Sequence, residues 1–222
     1  MDGDNVDALV GVGTVDTIVG VGLVDNPAST LAAAEASLAK ALKAAPNHAF
    51  AHRMMGMLLC QTNRVSRGIE ELERALAIDP NLARARANVG VAQAYLGRAA
   101  ETEAHVLEAL RMSPRDAYVF LWLMQVGFAK ACLGEHEEAV SWMRKSVDAN
   151  RNNPWVYFNL AASLANLGRL DEARQEVKAG LAVDPKYTIR RFRVGNTCDN
   201  PVFSTQRDRL IEGMRLAGVP EE

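Results

Sequence analysis

His48 and His52 stand four residues apart in a stretch with helical patterning, so both rings fall on one helix face. That spacing can hold a transition metal, but no glutamate or cysteine nearby completes a ligand set. The expected place of His52 is a packing position between helices, as a partly buried core histidine. His105 and His136 lie among charges and read as solvated. Gly11-Val12-Gly13-Thr14-Val15-Asp16 begins like a dinucleotide-binding turn, yet Asp16 stands where the third glycine belongs. No phosphate-loop lysine motif occurs. Glu101 and Glu103, and Glu135, Glu137 and Glu138, stand where second helices begin, and acids suit the positive end of a helix dipole. Arg190, Arg191 and Arg193 form a small basic cluster, expected to pair with acids on the preceding helices rather than with phosphate. No Ser/His/Asp or Cys/His arrangement presents itself. The reading is therefore of no catalytic residues, no metal site, no cofactor and no enzyme.

The elements that position these residues belong to an ordinary globular chain. It has 222 residues, 49% of them hydrophobic and 23% charged, which excludes a disordered chain, a collagen-like fibre or a disulfide-dense mini-protein. A formal net charge of −2 gives no bulk basicity for nucleic acid. The opening Met1-Asp2-Gly3-Asp4-Asn5 is acidic, unlike a secretory or mitochondrial leader. The apolar stretch from Ala8 to Val24 is interrupted by Asp16 and carries four glycines, so it is not read as membrane-spanning. Cys60, Cys132 and Cys198 are odd in number and form no CxxC, which points to reduced thiols and a cytoplasmic protein.

A repeat runs through the chain. Pro46, Pro80 and Pro114 are 34 residues apart. Ser29, Asn63, Gly97, Gly134 and Gly168 follow at steps of 34, 34, 37 and 34, as do Ala41, Ala75, Ala109, Ser146 and Gly180. One three-residue insertion between Pro114 and Gly134 accounts for every deviation. Each period reads as two helices. From Ala49, the residues Met55, Leu58 and Leu59 share one helical face and Asn63-Arg64 breaks it. Ile69, Leu72, Ala75, Leu76 and Ile78 form a second face, and Asp79-Pro80-Asn81 ends it. Val6 to Val24 is ambiguous. Its valine–glycine alternation suggests a strand, while Leu9, Val12, Asp16, Val19 and Leu23 have helical spacing. Helix is the reading taken, because a lone strand would have no partner.

A 34-residue helix–turn–helix of this kind resembles the tetratricopeptide repeat. Gly56, Gly90, Gly127 and Ala161 stand where that family wants a small residue at the helix crossing. Ala34, Gly68, Ala139 and Ala173 fit the small position early in the second helix, from which Thr102 departs. Pro46, Pro80, Pro114 and Pro185 fit the final proline, and Arg86, Gln93 and Arg151 are further departures. The resemblance implies an all-α fold, an α–α superhelix or solenoid of about five helical hairpins plus a C-terminal capping helix. The units would be residues 6–46, 49–82, 83–116, 117–153 and 154–187, with 188–222 as the cap.

The resemblance also implies that the first helix of each hairpin lines a concave binding face. In this register that face carries Phe50, Arg53 and Met57; then Arg84, Asn88 and Tyr95; then Met124, Gln125 and Phe128; then Trp155, Phe158 and Asn159. Family members that clamp a peptide carboxylate use recurring lysines, replaced here by Arg53, Ala87, Met124 and Phe158, so most of that clamp is missing. A groove rich in methionine and aromatics suits an apolar or helical ligand. A non-enzymatic module that binds a protein or peptide, or associates into a homo-oligomer, is the leading expectation. The tail from Thr188 to Pro220 resembles the segment that closes repeat regions in bacterial nucleotide cyclases, whose regulatory C-terminal region is the alternative. Helix 200–216 is expected to cover the last repeat's second helix at Leu170, Val177 and Leu181. Ile189 and Phe192 would anchor an ordered crossing before it.

Overall fold

The computed structural model describes residues 5–22, 28–196 and 198–222. Among them all regular structure is helical. Helix α1 (Val6–Gly22) pairs with α2 (Ala28–Ala44), α3 (Ala49–Gln61) with α4 (Val65–Ile78), and α5 (Ala83–Tyr95) with α6 (Thr102–Met112). Then α7 (Val119–Cys132) pairs with α8 (His136–Ala149), and α9 (Pro154–Asn166) with α10 (Leu170–Val183). The tail adds a short α11 (Ile189–Gly195) and a long α12 (Pro201–Ala217). Each hairpin stacks on the next, giving an α–α superhelix. A single hairpin cannot bury its own apolar face, so neighbouring units bury theirs against each other, in a series of clusters along the stack.

The local reasons follow the repeat. At the inner turn, Asn63, Gly97, Gly134 and Gly168 all take the left-handed conformation, with φ of 61, 78, 81 and 77°. Glycine adopts it freely, whereas an asparagine there carries some strain. At the helix crossing, a Cβ on Gly56 would stand 2.8 Å from the Gly68 carbonyl oxygen, so the two backbones can touch only because both side chains are absent. The third hairpin solves the same crossing differently. Thr102 replaces the small residue, and its hydroxyl donates to the Gly90 carbonyl at 2.8 Å. A 3₁₀ turn, Ala99–Glu101, opens the second arm of that hairpin. The three extra residues divide between two places. The linker 113–118 is two residues longer than the linkers 45–48, 79–82 and 150–153, and α7 is one residue longer than α3, α5 and α9.

Two expectations change. α1 is helical, but its buried stripe is Val10, Gly13 and Thr17, while Val12, Val15 and Ile18 face solvent. The small residues turn inward because a Cβ on Gly13 would lie 2.7 Å from the Leu38 side chain. Leu23 lies outside the described residues. The second change concerns the tail. α12 packs chiefly on α9, with lesser contact on α7, and only its end reaches α10. It lies along the first helices of the last hairpins, not on the outer face of α10. Gly213 permits this, since a Cβ there would be 2.6 Å from the Ala162 carbonyl oxygen. Phe203, Leu210, Ile211 and Met214 are all buried, and so are Ile189 and Phe192. Among the described residues no helix is long and apolar enough to cross a membrane.

Candidate functional site

The first helices of the middle hairpins and the tail enclose a cavity of about 850 Å³. Ten of the twelve residues expected on the concave face line it: Arg53 and Met57 from α3, Arg84, Asn88 and Tyr95 from α5, Met124, Gln125 and Phe128 from α7, and Trp155 and Asn159 from α9. Phe50 and Phe158 do not. Phe50 packs between Val10, Ala41 and Leu42, and its ring lies beneath the Arg53 guanidinium, 4.8 Å from the centroid. Phe158 is fully buried and stacks on Tyr187 with centroids 3.7 Å apart. It faces α10 and the start of the tail, where Gly180 makes room for its ring.

Sequence reasoning missed the roof. α11 crosses the concave face and contacts α1 at the far side, so Thr188 and Phe192 line the cavity opposite Thr17 and Ile18. Thr188 caps α11 by accepting from the Arg191 amide at 3.2 Å. The amides of Ile189 and Arg190 donate to the carbonyls of Pro220 and Glu221 at 2.8 and 3.2 Å. The basic cluster finds its acids in two places. Arg191 pairs with Asp184 on the preceding helix cap, but Arg190 and Arg193 pair with Glu222 and Glu221 at the other end of the tail. The strap then runs along the inner turns. Asn63 and Asp199 bond to each other twice, side chain to side chain and amide to side chain. The Cys198 thiol donates to the Tyr95 carbonyl at 3.2 Å, and Asn200 donates to that of Leu96 at 3.1 Å. Asn200 also caps α12, accepting from the Val202 and Phe203 amides. The unusual asparagine at the second inner turn thus has a use that glycine cannot supply.

Two arginines set the electrostatics. Arg84 donates from Nε to Asp116 at 3.0 Å and lies 4.2 Å over the Tyr118 ring. Burial works against the Asp116 charge, but the bonds from Arg84 and the Tyr118 amide prevail and hold its carboxyl below the usual range. Arg53 is only 7% exposed and has no carboxylate partner among the described residues. Its guanidinium donates to Asn88 Oδ1 at 3.2 Å and to the thioether sulfurs of Met57 and Met54 at 3.3 and 3.1 Å. Its Nε has no acceptor. Burial, with Arg84 nearby, brings its pKa down to about 10. The carbonyl oxygens of Gln61, Gln125 and Asn159 are buried and likewise unpartnered.

His105 and His136, read as solvated, are instead partly buried, and burial lowers the pKa of both, whereas the pair spaced for a metal is occupied. His52 lies 2.6 Å from Glu71 Oε2 and 2.8 Å from the Pro46 carbonyl, one contact for each ring nitrogen. His48 caps α3 by accepting from the Ala51 amide. The three thiols are buried and free, and burial pushes those of Cys60 and Cys132 up to about 12, which leaves them poor nucleophiles at neutral pH.

Two family models described as tetratricopeptide repeat match, one over residues 29–83 and one over 133–190. No curated protein matches the chain in sequence. Among solved structures, PilF of Pseudomonas aeruginosa superimposes with a TM-score of 0.67 at 21% identity, covering 96% of this chain and 86% of that one. TTC0263, a thermophilic tetratricopeptide protein of Thermus thermophilus, gives 0.69 at 21%, covering 85% and 96%. YrrB, described as a tetratricopeptide protein with an unusual peptide-binding site, gives 0.51 at 22%, covering 81% and 90%. At these identities the likeness concerns the fold. The stacked hairpins, their left-handed inner turns and the matches near both ends agree: the chain carries tetratricopeptide repeats within an all-helical α–α superhelix.

Proposed function

We propose that this chain is a non-enzymatic, cytoplasmic protein–protein interaction module that takes a peptide or helix of a partner on its concave face, or uses that face to associate with itself. Its working units are the repeats 6–46, 49–82, 83–116, 117–153 and 154–187, and residues 188–222 form a cap that also enters the groove. One observation carries the reading: the concave face already holds a helix, the chain's own α12, against α7 and α9. Phe203 seats there between the rings of Tyr95 and Phe128, at 5.0 and 6.2 Å. A surface of methionine, aromatic and amide side chains that accepts one amphipathic helix has the chemistry to accept another. Docking further along the groove requires α11 to lift, and exchange of α11 and α12 between two copies would give self-association by the same contacts. The cyclase-like wording of the tail also has a structural reason of its own, since its apolar residues Phe192, Phe203, Ile211 and Met214 are buried against the repeats.

Capture of binding partners from cells, by the intact chain and by two variants, tests the proposal. Met57→Glu with Met124→Glu places charges on the concave lining, and Arg74→Glu alters the exposed side of α4. Partners kept by the second and lost by the first support the reading. Partners indifferent to the first variant, with sedimentation showing a monomer throughout, would overturn it.

A further inference from the structure

The strap changes what the groove can hold. An open superhelical groove admits a chain along its length, whereas a chamber roofed by α11 admits a compact molecule without any threading. At about 850 Å³ the chamber falls within the range of small-molecule sites. Its lining is mostly apolar, with a few polar atoms left over. Of the guanidiniums on its wall, Arg84, Arg190 and Arg191 each have a carboxylate, and Arg53 has none among the described residues. Arg53 is buried, its firmest acceptor is one amide oxygen, and two of its contacts are thioethers, which accept weakly. Asp116, which Arg84 already holds, acts on Arg53 only from beyond ion-pair distance, so this buried cation has no carboxylate of its own, and a planar carboxylate matches the guanidinium fork.

We propose that the chamber is a binding site for a small amphipathic monocarboxylate. The carboxylate sits on Arg53 beside Asn88, and the apolar body lies among Met54, Met57, Leu121 and Phe128. The unpartnered carbonyl oxygens of Gln61 and Gln125 add a place for one hydroxyl or amide N–H on that body. Arg53 is the one buried cation on the wall without an ion pair among the described residues, Lys186 being exposed, so the buried end of the chamber specifies one negative charge, which argues against a phosphate ester or a dicarboxylate there. This inference goes beyond the docking proposal, because the ligand enters with the strap in place and no partner protein is involved.

Decanoate, decan-1-ol and decylamine, each titrated into the intact chain, test it by calorimetry and by tryptophan fluorescence, to which Trp122 and Trp155 on the chamber wall contribute. Decanoate is expected to bind one to one, at least tenfold more tightly than the alcohol and the amine. Arg53→Gln should bring decanoate down to the level of the alcohol and leave the alcohol unchanged. Leu121→Trp, which fills the chamber without touching Arg53, should abolish binding of both. If Arg53→Gln fails to fold, the Leu121→Trp result and the preference for decanoate decide the matter. Equal affinity for acid and alcohol, decanoate binding that survives Leu121→Trp, or no decanoate binding at millimolar concentration overturns the proposal. Concave-face capture of a protein partner together with no decanoate binding would overturn this inference and leave the interaction module standing.

Discussion

The two halves of the concave face share one repeat and one geometry, yet one is filled and the other hollow. Over α9 the surface is small at Ala162, which is fully buried, and Gly213 brings α12 down to backbone contact there. Over α3 and α5 the position of Ala162 is taken by Met57 and Val91, and Arg53, Arg84 and Asn88 stand beside them, side chains whose bulk and polarity hold a helix away. A chamber remains, and α11 roofs it. Small side chains invite close helix packing, while large polar ones preserve a cavity and leave donors and acceptors without partners. Each variant below erases or exaggerates that contrast.

Removal of residues 186–222 should have the largest effect. Phe203, Leu210, Ile211 and Met214 are each at most 1% exposed. Burying four such side chains is worth about 6–12 kcal/mol of gross transfer free energy, before conformational entropy is subtracted. The truncated chain should melt well below the intact one and aggregate, as read by scanning calorimetry and size-exclusion chromatography. A monomer with an unchanged melting temperature would show that the filled half does not need its helix.

Phe158→Ala comes next, at about 3–5 kcal/mol, the usual cost of deleting a buried aromatic. Its ring is fully buried and stacked on Tyr187. Chemical denaturation should show the loss in the midpoint. Gly213→Ala should cost about 1–3 kcal/mol by forcing α12 off Ala162. Faster hydrogen exchange in 201–217, with α3 and α4 unaffected, would place the damage in the filled half. Arg53→Met acts in the hollow half with the opposite sign. It removes a buried, poorly satisfied cation and supplies an unbranched apolar chain, so stability should rise by about 1–3 kcal/mol while decanoate binding is lost. A fall in stability would mean that the guanidinium is better satisfied than its thioether contacts suggest.

Much of this was legible in the sequence because the repeat writes the same constraint several times. The series Asn63, Gly97, Gly134 and Gly168 marked the inner turns, and each proves left-handed. The register that placed Gly56 against Gly68 also placed ten concave residues around one cavity. Thr102 broke the pattern in letters only, because its hydroxyl satisfies the backbone that an alanine would merely approach. What escaped was the choice between competing apolar faces. Leu170, Val177 and Leu181 offered α12 a plausible seat on α10, and an apolar pattern does not rank one seat above another. The deciding signal was steric: Gly213 in mid-helix opposite Ala162. The letters of α1 gave its helical spacing through Leu9, Val12 and Asp16 but not its buried stripe, which is Val10, Gly13 and Thr17. The roof had no local signature at all. Thr188 and Phe192 become chamber walls only because the chain turns back across the groove.

The smallest stability effect expected is at Trp155, one turn before Phe158 and on the same helix. The two were paired in the sequence as concave residues, and the structure separates them. Trp155 is 39% exposed and lines the chamber, whereas Phe158 points into the core. An exposed aromatic contributes little to folding, because much of its surface stays in water in both states, so Trp155→Ala should change stability by no more than about 0.5 kcal/mol. Its backbone roles survive the substitution: the Trp155 amide still donates to Asn153 at the helix cap, and its carbonyl still accepts from Asn159 at 2.9 Å. Loss of ligand binding with an unchanged denaturation midpoint would separate site from scaffold within a single helical turn. A midpoint shift as large as that of Phe158→Ala would place Trp155 in the core and erase the distinction between the two.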